Sequence, residues 1–315
     1  GGPEHEISRD DLDRIKEVAP LGKVPANRDI LDVVAHAYKL DGQDNIKDPL
    51  GMTGTRLEID AHVISALTPY LVNVDKAAES AQVEPHNVVP TAVAASRAVL
   101  NEQQLENGVA VIDLGGSTTS IAVYEEGDLQ YVGVVPIGGN SITNDLAIGL
   151  KTDPEVAEEV KVKHACALSH SESAGVSVKH EGEIYSFKTE DINEIVEARL
   201  EEIFDGIQLH LKKAGRAGKL PSGVVLVGGG AKLKHIAEYA KETLGLAARL
   251  GQTSGFGGVA EDIDKSEFAT AIGLMLIDSD QTSREKPRGG GTKFKAPSTK
   301  DLKGGVSKIF GWFKP

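Results

Sequence analysis

The chain has 315 residues and carries 34 basic against 47 acidic side chains, a formal net charge of −13. Its 40% apolar and 26% charged content suits a globular protein of about two domains, and its one cysteine, Cys166, excludes a disulfide framework or a cysteine-rich metal site. No apolar run is long enough to span a membrane and no basic-then-apolar leader opens the chain, so a cytosolic protein is expected, and the acidic balance argues against nucleic acid as a partner.

In chain order, Ser8 is placed to cap a helix. Asp10 and Asp11 stand in its positive first turn, Leu12, Ile15 and Ala19 make its apolar stripe, and Pro20 ends it. A strand is predicted over Arg28–Leu40, followed by turn-rich stretches at 41–44 and 48–51. A second strand is predicted over 55–66 and a helix over 72–81. Val88–Val89 reads as a short strand and Thr91–Leu100 as an Ala-rich helix. From Gly108 the pattern sharpens. A buried strand, 109–114, meets the tight turn Gly115-Gly116-Ser117-Thr118, and strands at 119–124 and 129–136 follow as a hairpin. Gly138-Gly139-Asn140-Ser141 is read as capping a helix through Leu150. Then come a helix-and-loop stretch at 151–173, a hairpin at 177–188 and a long helix at 191–213. The buried strand 224–227 is read as running through Gly228-Gly229-Gly230-Ala231 into a helix that ends at Leu244. An apolar helix at 268–277 closes the folded part. Residues 279–302, rich in Gly, Pro, Ser, Thr and charge, read as a flexible linker.

Two glycine turns carry the chemistry. At the first, glycines without Cβ let backbone N–H groups point at phosphate oxygens, and the Ser117 and Thr118 hydroxyls add donors. Asp113 at the strand end is placed to hold a magnesium ion through water. A plain glycine-turned hairpin has the same sequence pattern. The second turn puts three glycines where a helix is expected to begin, which favours an anion or a close-lying nucleotide, or else a tight helix–strand crossing. It is neither a Walker A loop nor a dinucleotide fingerprint.

Together the turns resemble the second phosphate motif and the adenosine motif of the actin-like ATPase superfamily. Within it, GQDNIKDPLGMTGTRLEIDAHVISA (42–66), VPIGGNSITNDLAIGL (135–150), EIVEARLEEIF (194–204) and GVVLVGGGAKLKHIAE (223–238) resemble the bacterial cell-division family FtsA. The resemblance implies an α/β, actin-like (ribonuclease H-like) two-domain fold in which a subdomain 1C takes the place of 1B. Residues 1–87 would be 1C, 88–108 the remainder of 1A, 109–150 and 221–279 subdomain 2A, and 151–220 subdomain 2B. It implies ATP and Mg2+ as cofactors. Asp113, Gly115, Gly116, Ser117 and Thr118 would meet the phosphates, with Asp113 reaching the metal through water. Gly228, Gly229, Gly230, Ala231 and Glu197 would meet the adenosine, with Glu201 a weaker candidate. The family's first phosphate hairpin has no counterpart before residue 108. The expectation is therefore an N-terminally truncated fold with at most weak ATPase activity.

The charge is unevenly placed. Residues 281–315 carry nine basic and two acidic side chains, a net of +7, which leaves −20 on the rest. Val306, Ile309, Phe310 and Phe313 fall on one helical face, Lys303, Lys308 and Lys314 supply cations, and Trp312 suits an interface. Burying such a face is worth on the order of 6–10 kcal/mol before ordering costs, and anionic lipid adds about 1 kcal/mol per nearby cation. Residues 303–315 are therefore read as an amphipathic membrane-targeting helix, joined by a flexible linker at 280–302 that would hold the core roughly 25–30 Å from the bilayer. A helix packed on the core is the alternative.

The resemblance implies a protein that polymerises and ties FtsZ to the cytoplasmic face of the cell membrane at the division site. Its partners would be FtsZ, copies of itself, anionic membrane lipid and other division proteins, with 2B facing FtsZ and 1C facing the others. A pilus-assembly ATP-binding protein like PilM and a phosphotransferase of the sugar-kinase type are the alternatives. The nine histidines, among them His164, His170 and His180, show no metal-ligand spacing. Cys166 is read as a buried apolar residue. Thr143 and Asp145 fit either the family pattern or a helix cap, and Gly255–Gly258 reads as a loop near the nucleotide.

Overall fold

The structure is a computed structural model that describes residues 4–85, 87–168, 174–253 and 266–284, with backbone alone over 280–284. Lys303, Val306, Lys308, Ile309, Phe310, Trp312 and Phe313, the residues expected to target a membrane, lie outside the described residues, as do Lys314, Gly255–Gly258 and His170. Gly1–Asp278 form one compact unit and Ser279–Pro315 a second.

The N-terminal elements are β1 (His5–Glu6), α1 (Arg9–Val18), β2 (Arg28–Leu40), β3 (Gln43–Ile46), β4 (Thr53–Gly54), β5 (Leu57–Leu67) and α2 (Thr68–Ser80). Ser8 caps α1 as expected: its hydroxyl accepts from the Asp11 N–H at 3.3 Å, and Asp11 accepts from the Ser8 N–H at 2.9 Å. β2 and β5 pair antiparallel from Arg28↔Leu67 to Leu40↔Leu57, interrupted by two bulges, and β3 adds to the other edge of β2. The Asp41-Gly42 turn between β2 and β3 has φ of 48° and 93°, the left-handed pair that a two-residue hairpin requires. α1 packs Leu12 and Ile15 on a small core of Ile7, Tyr38, Leu40 and Ile46. No residue of α2 is buried.

Val88–Val89 are not a strand. They have no ladder partner among the described residues, and Pro90, which lacks an N–H, serves as the N-cap of α3 (Thr91–Val99). α4 (Glu102–Asn107) was not anticipated. It is set by a capping box between Asn101 and Gln104, an Asn-x-x-Gln signal visible in the sequence.

The main sheet follows: β6 (Val109–Leu114), β7 (Thr119–Glu125) and β8 (Asp128–Val135), then α5 (Gly139–Leu150) and α6 (Pro154–His164). A separate hairpin, β9 (Gly175–His180) with β10 (Glu183–Lys188), leads into α7 (Thr189–Lys213). After it come β11 (Val224–Val227), a 3₁₀ turn (Gly229–Lys232), α8 (Ile236–Leu244), β12 (Ala248–Leu250) and, past residue 265, a 3₁₀ turn (Ser266–Phe268) and α9 (Ala269–Arg284). The five-stranded order is β12-β11-β6-β7-β8, with β6, β11 and β12 parallel and β6-β7-β8 an antiparallel meander.

Strand periodicity divides this sheet between two cores. Ala110, Ile112, Leu114 and Leu226 face the layer that holds Phe204, Ile207, Leu146 and Ile236. Val109, Val111, Val225 and Val227 face Ala95, Ala98 and Val99 of α3 with Ala269 and Ile272 of α9. Every residue of β6 is buried, as expected for a central strand covered on both sides.

Three local expectations need correction. α8 does not start at the glycines; it starts at Ile236, after an extended Leu233 and a left-handed His235 (φ 62°). α9 continues to Arg284, into the stretch read as linker. Cys166 is half-buried, bridges to Lys234 and donates its thiol to the Leu168 carbonyl.

Candidate functional site

β6 and β11 are adjacent parallel strands in register, with Asp113 opposite Val227. Their C-terminal ends therefore deliver the two glycine turns to one place, the crevice where open α/β sheets bind ligands. The turns touch. Gly228 (φ 86°) has no room for a Cβ, which would strike the Asp113 carboxylate and come within 2.6 Å of the Leu114 carbonyl oxygen. A Cβ on Gly230 would lie 2.7 Å from that of Leu114. Gly229, by contrast, is exposed and a Cβ there meets nothing within 4 Å.

A third turn joins them. α5 has no side-chain cap, contrary to the expected role of Asn140 and Ser141. Its first N–H groups, of Gly139 and Asn140, donate instead to the carbonyls of Gly115 (2.9 Å) and Gly116 (2.7 Å). Each trans peptide points its N–H opposite to its C=O. The carbonyls of Gly115 and Gly116 face α5, so the N–H groups of Gly116 and Ser117 point away from it. Neither these nor the Thr118 N–H donates to any described residue, and Gly116, Ser117 and Thr118 are all exposed. Asn140 approaches Ser117 Oγ at 3.5 Å.

Asp113 is 9% exposed. Its Oδ2 accepts from the Thr270 hydroxyl at 3.2 Å. The Gly228 N–H donates to the Ser266 carbonyl at 2.9 Å and Lys232 pairs with Glu267 at 2.8 Å, which anchors the second turn to the segment before α9.

Sequence reasoning missed a polar cluster beside the start of α5. Lys161 Nζ lies 2.6 Å from Glu158, 2.7 Å from Thr143 Oγ1 and 3.2 Å from the Gly139 carbonyl, and the Thr143 hydroxyl reaches Glu158. Burial works to raise the Glu158 pKa, but the Lys161 and Thr143 hydrogen bonds outweigh it and hold the carboxyl below its usual range. The signal was present in Glu158-x-x-Lys161, two residues on one face of α6. Asp145 forms a two-pronged pair with Arg199 (2.6 and 3.0 Å) that ties α5 to α7.

Glu197 is exposed on α7, and no recorded contact joins it to the glycine turns. With Glu201 and Asp205 it faces Tyr239 of α8, whose hydroxyl pKa is raised first by burial and then by these three carboxylates. Among the described residues no group of three His, Cys, Asp or Glu side chains is arranged to hold a metal.

The described unit is thus an α/β protein in which two glycine turns meet at the ends of parallel strands. Its fold is similar to that of MreB5 of Spiroplasma citri solved bound to ADP, with a TM-score of 0.58 and 17% identity over 70% of this chain and 68% of that one. It is similar also to a chain of a PilM-PilN type IV pilus biogenesis complex, with a TM-score of 0.61 and 19% identity over 87% and 75%. These likenesses place it among proteins of actin-like, two-domain fold. The family model described as "Cell division protein FtsA" matches residues 110–273, and one described as "SHS2 domain inserted in FTSA" matches residues 2–65. The chain is 31% identical to the FtsA protein of Pseudomonas aeruginosa over 277 residues, covering 87% of this chain and 66% of that protein. Identity to the Neisseria meningitidis protein is 34%, covering 86% and 66%, and to the Borreliella burgdorferi protein 31%, covering 98% and 75%. The chain belongs to the FtsA family of cell-division proteins. It spans just under two thirds of the length of the Pseudomonas and Neisseria proteins.

Proposed function

We propose that the crevice between the two glycine turns binds ATP with Mg2+, and that this nucleotide governs assembly of a division-site adaptor. The observation that carries the reading is the N–H groups of Gly116 and Ser117, turned away from α5, with the undirected Thr118 N–H, beside a buried carboxylate, in a chain of this family. The fit rests on chemistry present in the chain. Exposed hydroxyls and undirected N–H groups suit phosphate oxygens, and Gly229 is exposed with nothing within 4 Å of where its Cβ would stand.

In this reading Gly115, Gly116, Ser117 and Thr118 hold the phosphates, and Asp113 holds the metal through water. Gly228, Gly229, Gly230 and Ala231 form the floor under the adenosine, and Glu197 approaches from α7. The nucleotide, when bound, supplies a compact anionic group that draws the two turns onto a common ligand. Lys161 and Glu158 fix the first turn of α5, and through its capping carbonyls they fix the phosphate turn.

The wider role follows the family. Residues 109–150 and 221–279 would act as 2A, 151–220 as 2B, 88–108 as the remainder of 1A and 1–87 as 1C. The protein would polymerise, bind FtsZ and other division proteins, and attach to anionic lipid through residues 303–315 at the cytoplasmic face of the division site. Hydrolysis would be weak. Liposome co-sedimentation with FtsZ tests this role: FtsZ should pellet only with the whole chain, and pelleting with residues 303–315 alone would remove the adaptor role from the core.

A further inference from the structure

Thr270 is the second residue of α9, and the chain folds it back more than 150 residues to the end of β6. Its hydroxyl has one proton and two acceptors in reach: Asp113 Oδ2 at 3.2 Å and the Thr91 carbonyl at 3.5 Å. The Asp113 oxygen is the nearer acceptor, so it takes the proton. Thr91 begins α3, the helix against which α9 packs with almost no clearance. A Cβ on Gly273 would collide with the Ala94 carbonyl, and Ala95, Ala98, Ala269 and Ile272 fill the rest of the joint. The Thr270 hydroxyl therefore sits at a fixed point where β6, α3 and α9 meet.

Asp113 needs such a fixed point. Its carboxylate is buried, its Oδ1 lies against Gly228, and Thr270 supplies the one side-chain hydrogen bond it accepts from a described residue. A buried carboxylate without a donor is costly, and a single donor settles which way it turns. We propose that Thr270 is a positioning residue for Asp113: its hydroxyl keeps the carboxyl group aimed, and so sets the affinity of the crevice for a nucleotide carrying a divalent cation. This rests on the nucleotide reading above and adds to it a residue from the far end of the folded unit. The hydroxyl touches no nucleotide; it acts through Asp113. The magnesium dependence of binding is therefore the property it controls.

The test is calorimetry of ATP binding to the full chain, with Mg2+ and with EDTA, for the wild type, Thr270→Val, Thr270→Ser, Asp113→Asn and the Asp113→Asn/Thr270→Val double variant. Thr270→Val should lose about tenfold of the advantage that Mg2+ confers, with its affinity in EDTA unchanged and its melting temperature recorded alongside. Thr270→Ser, which keeps the hydroxyl, should behave as wild type. In the Asp113→Asn background the valine should have no further effect. If Thr270→Val melts below the assay temperature, Thr270→Ala removes the same hydroxyl without added bulk and carries the same expectation. An unchanged Mg2+ advantage in the valine or alanine variant overturns the proposal, as does an equal loss with and without Mg2+, which marks a structural residue only. Absence of ATP binding to the wild type has a different signature: it removes the nucleotide site itself, and this proposal with it.

Discussion

The sheet region from Val109 to Leu250 and the N-terminal region from His5 to Ser80 are held by different means. In the first, β6 is buried at every position and α7 buries eight residues, Phe204 among them. In the second, α1 and α2 bury none, and the core is four residues with a few half-buried neighbours. Order there comes from caps, turns and a long hairpin: Ser8 with Asp11, Asp41-Gly42, and the Asp41 carboxylate that accepts from the N–H groups of Thr55 and Arg56. The two regions meet where Val34 and Ile64 pack on Ala92, Ala122 and Leu129, beside a Lys47–Asp128 pair at 3.0 Å. Deep burial holds the strands under the crevice, while the N-terminal region presents surface. Damage to one is therefore expected to be separable from damage to the other.

The largest break should come from Phe204→Ala. It empties a fully buried site that also stacks edge-on with Tyr239, and should cost about 3–5 kcal/mol in denaturant unfolding. Gly138→Ala should follow. A Cβ there lies 2.5 Å from the Gly115 carbonyl oxygen and 2.6 Å from that of Gly116, so α5 or the 115–118 turn must shift, at about 1–3 kcal/mol and, on the proposed reading, with loss of nucleotide affinity. Ser8→Ala removes one cap from the N-terminal region. It should cost about 1 kcal/mol while leaving nucleotide binding intact. A fall in nucleotide affinity on that change would mean the two regions are coupled.

Within the sheet region, two histidines should show opposite pH dependence. His210 Nδ1 pairs with the Tyr131 hydroxyl at 2.7 Å, and its Nε2 lies 3.2 Å from the Val134 carbonyl, to which it donates. Burial first, with Lys213 nearby, lowers its pKa against the opposing pull of the Val134 carbonyl. Its stabilisation is full above the ordinary histidine value and is lost as pH falls through that value toward the lower folded one. His180 is raised, first by its hydrogen bond to Glu159. Its stabilisation is full below the ordinary value and is lost as pH rises through the higher folded one. Histidine NMR titrations should place the two midpoints on opposite sides of the ordinary value; midpoints on the same side contradict these contacts.

Much of this was legible because it is local. Strand β6, its hairpin, the Ser8 cap and the long α7 follow from period-2 or period-3.6 patterning and from turn residues next to one another. The misreadings arise where the deciding partner is distant. The cap of α5 is supplied by carbonyls more than twenty residues earlier, so Asn140 and Ser141 looked like caps and were not. The glycines before α8 looked like a helix start because nothing local announces the extended Leu233 and left-handed His235. Val88–Val89 has strand residues but no strand beside it among the described residues. The residues of the candidate site were legible, Asp113 and Gly228 above all. The Thr270 hydroxyl on Asp113 was not, since 157 residues separate them.

The central claim is that the two glycine turns form one nucleotide site. Gly229→Val tests it most directly, because Gly229 is exposed in the second turn and a side chain there meets nothing within 4 Å, so bulk can be added without disturbing the fold. Calorimetry of ATP with Mg2+ should show binding by the wild type and at least about a tenfold loss in the variant, at an unchanged melting temperature. Equal affinity in both proteins would contradict the account.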